Sequence, residues 1–136
     1  MHEDTWIKAA LAAVGGAFAY VYGPLDTLLI ILLCFVAIDY ITGVMSAFVC
    51  RQLSSAVGFR GLLKKLMVFT LVAVAALLDR CLPDMHGALR AAVCLFYIAN
   101  EGISILENAH KMGLPIPKAL RAALKKLSEE ENKTEV

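Results

Sequence analysis

Apolar residues in this chain come in long runs, and polar residues break them at four places. The run from Trp6 to Tyr22 is rich in Ala and Gly, with aromatic residues near both ends, where membrane interfaces tend to place them. Gly23-Pro24-Leu25-Asp26 interrupts it, because Pro stops a helix and turns the residue before it away from helical angles. Thr27 to Cys50 follows, which as a helix would measure about 36 Å and cross a bilayer. Arg51 to Gly61 reads as a polar loop, after which Lys64 and Lys65 open a third segment that is apolar from Leu66 to Leu78 except for Thr70. Both ammonium groups are expected to snorkel toward headgroups. Asp79 to Gly87 reads as a mixed-charge turn, and a fourth segment runs from Ala88 to about Lys111. The pattern predicts an all-α, small polytopic membrane protein with three or four transmembrane helices. The open number is Trp6–Tyr22, which at about 25 Å is short for a full crossing.

Composition sharpens this. Of 136 residues, 60% are hydrophobic and only 18% charged, and mean hydropathy is +0.71. A soluble domain sits nearer half apolar and a quarter charged. A large soluble domain has no room, and a net charge of +1 gives no reason to expect a nucleic-acid partner. Ala17-Phe18-Ala19 resembles a signal-peptide cleavage site, but His2, Glu3 and Asp4 with only Lys8 make no cationic leading region, so a retained helix is expected.

Beyond Gly113-Leu114-Pro115 the pattern changes. Ile116, Leu120, Ala123, Leu124 and Leu127 share one helical face, and Lys118, Arg121 and Lys125 the other. This divides the chain into a transmembrane helical domain, 1–114, and an amphipathic helix with a polar tail, 115–136. Such a helix is expected on anionic headgroups, with Lys118, Arg121 and Lys125 at the membrane surface. With four crossings, all of the 13 Lys and Arg residues except Arg80 and Arg90 fall on one side. The positive-inside rule then puts both termini and the Arg51–Gly61 loop in the cytoplasm.

Two of the apolar segments carry polar stripes. Asp39 lies near the middle of the second, with Thr42, Gly43 and Ser46 following on its face. Asn100, Glu101, Ser104, Glu107 and Asn108 fall within about a third of the circumference of the fourth. An aspartate at mid-helix costs roughly 2.5–3.5 kcal/mol on insertion scales, so these groups should face protein or water rather than lipid. Three uses fit: hydrogen bonding between helices, lining a water-filled pore, or relaying protons.

Chemistry of other kinds finds no support. His2, His86 and His110 are isolated, and Cys34, Cys50, Cys81 and Cys94 show no CxxC spacing. No metal site and no cofactor are expected, and the cysteines read as small hydrophobes, with Cys81 alone placed for a disulfide. Asp39 and Glu101 as a pair suit ion handling or helix contact better than hydrolysis, so no enzyme is expected.

Three blocks resemble the toxin-secretion/phage-lysis holin family: Asp39-Tyr40-Ile41-Thr42-Gly43-Val44; Ser54-Ser55-Ala56-Val57-Gly58-Phe59-Arg60-Gly61 running on to Lys64-Lys65; and Asn100 through Asn108 continuing to Gly113-Leu114-Pro115-Ile116-Pro117. The resemblance covers roughly Thr27 to Leu120. It implies a multi-pass protein of the bacterial cytoplasmic membrane that forms homo-oligomers among lipid and opens lesions through which an endolysin or a toxin leaves. A small ion or proton channel or transporter subunit is the alternative, as is an antiholin regulator.

Overall fold

A computed structural model describes residues 3–132. Five helices follow in order: α1 (Glu3–Tyr22), α2 (Thr27–Val49), α3 (Ser55–Cys81), α4 (Ala88–Lys111) and α5 (Lys118–Asn132), with a single 3-10 turn at Pro83–Met85 between α3 and α4. No strand occurs among the described residues. Helices α2, α3 and α4, of 23, 27 and 24 residues, are long and apolar enough to cross a membrane, and α1 is not among the helices that meet that test.

The break at Gly23 takes the form the sequence demands. Gly23 adopts φ +77°, a left-handed value suited to glycine, and its amide closes the end of α1 on Ala19 O at 3.0 Å. Asp26 then caps α2, its Oδ1 accepting from Leu29 N at 3.0 Å. Helix α1 is exposed along almost its whole length and leans on α3, where the Arg80 guanidinium lies 4.5 Å from the centre of the Tyr20 ring.

The third segment departs from expectation. Helix α3 starts at Ser55, so most of the stretch expected to form a polar loop, Ser55–Gly61, is helical. Ser54 turns the chain in an extended conformation, and its carbonyl accepts the first helical bond from Gly58 N at 3.0 Å. Gly58 and Gly61 lie within the helix beside the Tyr40 side chain of α2, where a Cβ would make ordinary contact at 3.9 and 4.0 Å. Lys65 therefore stands ten residues into the helix, about 15 Å from its start.

Helices α2 and α3 touch little; both pack chiefly on α4. The core joins Leu29, Leu32 and Val36 of α2, Val68 and Val72 of α3, and Cys94 and Ile98 of α4. Cys94 is fully buried in it, as expected of cysteine acting as a small hydrophobe, and all four cysteines are free thiols. Outward faces remain apolar, with Leu33 and Ile41 of α2 and Leu66 and Met67 of α3 all exposed, which suits lipid contact.

Candidate functional site

Each of the three spans contributes one charged side chain to a single cluster. Asp39 of α2 and Glu101 of α4 are buried, at 6% and 4% exposure, and the Lys65 ammonium of α3 bridges them, donating to Asp39 Oδ2 and Glu101 Oε2. One cation facing two carboxylates leaves a formal negative charge in excess when all three are ionised. The amide of Asn108, about two helical turns beyond Glu101, adds a hydrogen-bond donor to the cluster, reaching Asp39 Oδ1 at 3.1 Å. The same Nδ2 lies 3.2 Å from Thr42 Oγ1, and that hydroxyl donates to Asp39 O at 3.1 Å. Gly43 lies beside the amide, which a Cβ there would meet at an ordinary contact distance of 3.6 Å.

The cluster replaces the headgroup position expected for Lys65. Once α3 begins at Ser55, Lys65 reaches the depth of the two carboxylates, and pairing inside the bundle outweighs a long reach to the surface. The polar stripe on α4 divides. Glu101 and Asn108 turn inward, Ser104 is half-buried, and Asn100 and Glu107 are exposed. On α2, Asp39 and Ser46 are buried while Thr42 and Gly43 are half-buried. A cleft of about 560 Å³ opens beside the cluster, lined among others by Ser46, Gly43, Lys65 and Lys111. A second, of about 510 Å³, lies on the other side of Lys65 against Asn100, Glu101 and Ser104.

A second polar knot closes the opposite pole, and the sequence pattern gave it no role beyond charge counting. Arg90 of α4 donates from Nη1 to Asp26 Oδ2 at 2.7 Å, from Nε to Tyr22 O at 2.7 Å and from Nη2 to Pro24 O at 3.0 Å. One guanidinium thus ties the end of α1, the α1–α2 turn and the start of α2 to α4. The Arg90 hydrogen bonds hold the Asp26 carboxyl below the usual carboxylate range, against the smaller opposing effect of burial. Asp79, in the last turn of α3, accepts from Leu89 N at 3.1 Å and Arg90 N at 2.8 Å. It caps α4, whose own N-cap, Gly87, has no side chain to do so. Fixed by Asp79 and Arg90, this pole brings the four helix ends together.

The amphipathic helix α5 packs along α4. Of the apolar face expected on it, Leu124 is buried and Leu127 half-buried, but Leu120 and Ala123 are exposed. Lys118, Arg121 and Lys125 are exposed on its other side. Among the described residues no group of three His, Cys, Asp or Glu is placed to hold a metal ion.

A bundle of apolar spans pinned at mid-depth by an ionic cluster defines a small polytopic membrane protein. The sequence profile of the bacteriophage holin family matches residues 16–129, and the chain belongs to that family. It is 42% identical over 123 residues to a 14.9 kDa protein of Clostridium perfringens, covering 90% of this chain and 93% of that one. A Halalkalibacterium halodurans protein is 42% identical over 132 residues, covering 94% of this chain and 96% of its own. A Bacillus phage phi105 protein named as a probable holin is 38% identical over 120 residues, covering 88% and 87%. No solved structure matches the chain. Membership points to a non-enzymatic membrane protein.

Proposed function

We propose that this chain self-associates in the bacterial cytoplasmic membrane and, above a threshold density, opens a passage that releases a cell-wall hydrolase or a toxin. Family membership together with three apolar spans supports the reading. The observation that carries the physical mechanism is the split polar stripe of α4. Glu101 and Asn108 are used up within the subunit, whereas Asn100 and Glu107 are exposed on a helix that spans the membrane. Polar groups at that depth gain from finding partners, so rising membrane concentration drives assembly by mass action. Asn100, Ser104 and Glu107 are then subunit contacts, and Asp39, Thr42, Gly43, Ser46, Glu101 and Asn108 hold each subunit together. The distribution of Lys and Arg favours a cytoplasmic C-terminus.

The test is reconstitution into vesicles loaded with a small dye and folded proteins of graded size, at rising protein-to-lipid ratio. Release of folded protein with a sharp density threshold is expected. Passage of ions alone would favour a channel or transporter subunit, a reading that the two clefts beside Lys65 make specific. Silence alone, with inhibition of a lytic homologue on co-expression, would identify a regulator.

A further inference from the structure

Helix α5 packs against α4, one of the three helices long and apolar enough to cross a membrane. It runs back along α4, and Leu124 is buried over Gly102, where an added Cβ would come within 2.6 Å of its Cδ2. Phe35 of α2 lies against the same spot, 3.1 Å from that Cβ position. Leu127 goes further, packing on the core shared by α2, α3 and α4. Gly102 precedes the end of α4 by nine residues, so Leu124 sits about 13 Å along α4 from its C-terminal end. The opposite side of α5 carries Lys118, Arg121, Lys125, Lys126 and Glu129, all exposed. The Lys125 and Glu129 side chains are 76% and 62% exposed, 3.8 Å apart.

Charges held beside a span avoid hydrocarbon and favour water or protein around them. Elsewhere the spans present Leu33, Ile41, Leu66 and Met67 outward, a surface that requires oil. The subunit therefore has a wet side and dry sides, and α5 makes the difference. We propose that the α5 side is the one each subunit turns to the aqueous passage, so that the cationic face of the docked helix lines it and the buried Asp39–Lys65–Glu101 cluster does not. This rests on the pore reading above and specifies its lining.

The experiment tethers α5 in place. Gly102→Cys and Leu124→Cys are combined in the full chain with Cys34, Cys50 and Cys81 replaced by Ser, and the protein is reconstituted into vesicles holding a dye. On oxidation an intrachain disulfide should form, dye release should match that of the reduced protein, and a membrane-impermeant amine reagent should still modify Lys125. Loss of release on tethering, absence of the bond in a protein that releases dye, or protection of Lys125 in the tethered state would each overturn the proposal. A reduced protein that releases nothing sinks the pore reading itself. Should the cysteine variant not insert, a benzophenone side chain at position 124 of the otherwise native chain should crosslink to α4 around Gly102 in membranes competent for release; crosslinks to lipid alone would refute the docked lining.

Discussion

Asn108 donates its side-chain amide to Asp39 Oδ1 at 3.1 Å across a sequence separation of 69 residues, joining α2 to α4 beside the ionic cluster. Asn108→Ala leaves a buried carboxylate oxygen and the Thr42 hydroxyl short of a donor. An unsatisfied buried acceptor costs about 1–3 kcal/mol, and thermal unfolding in detergent should show a loss in that range. Asn108→Asp should lose more, since it puts a third carboxylate against Asp39. Equal melting of all three proteins would mean that the amide contributes nothing to holding α2 on α4.

Among the described residues Lys65 is the one cation in contact with both Asp39 and Glu101, so Lys65→Met strands two buried carboxylates. Removing one partner of a buried ion pair typically costs about 3–5 kcal/mol. The variant is expected to accumulate poorly and to unfold at much lower temperature. Adding Asp39→Asn and Glu101→Gln to it should restore most of the loss, because the uncompensated charge goes with them. A triple variant as unstable as Lys65→Met would show that shape, rather than charge, makes this contact.

Much of this arrangement is legible in the amino-acid sequence. The lengths of α2 and α4, the break at Gly23-Pro24, and the need for Asp39 and Glu101 to avoid lipid all follow from apolar run length and the cost of a charge in hydrocarbon. Lys65 was misplaced for a local reason. The glycines and polar residues of Arg51–Gly61 read as loop, which puts Lys65 near a helix start, whereas α3 begins at Ser55 and carries Lys65 to mid-depth. Periodicity identified which face of α5 is apolar, yet it carries no information on what covers that face. Arg90 was invisible as a clamp because two of its partners are backbone carbonyls, at Tyr22 and Pro24, which any sequence supplies.

Acid should loosen the pole that Arg90 closes. The folded pKa of Asp26 is depressed below its unfolded value by the Arg90 hydrogen bonds. Its contribution is therefore fully present above the unfolded value and is lost as pH falls through the folded one, in the range below about 4. Other carboxylates titrate there too, so the diagnostic quantity is the difference from Asp26→Asn. Melting temperature in detergent should fall more steeply with acid in the native protein than in that variant. Parallel curves would remove Asp26 from the account of this pole.

Gly102 is where α4 yields to α5. A Cβ there meets the end of the flexible Leu124 side chain at 2.6 Å and the Phe35 ring at 3.1 Å, so Gly102→Ala asks Leu124 to rotate and should be tolerated. Gly102→Leu fills the seat altogether. Overpacking of this kind typically costs about 1–3 kcal/mol, and because a non-helical link joins α4 to α5 the strain is expected to discharge by releasing α5 rather than by unfolding the spans. The expected sign is faster tryptic cleavage at Arg121 in Gly102→Leu, with native rates in Gly102→Ala and with fragments of α2–α4 unchanged. Identical cleavage in all three proteins would place α5 somewhere other than over Gly102, and the burial of Leu124 would then need a different partner.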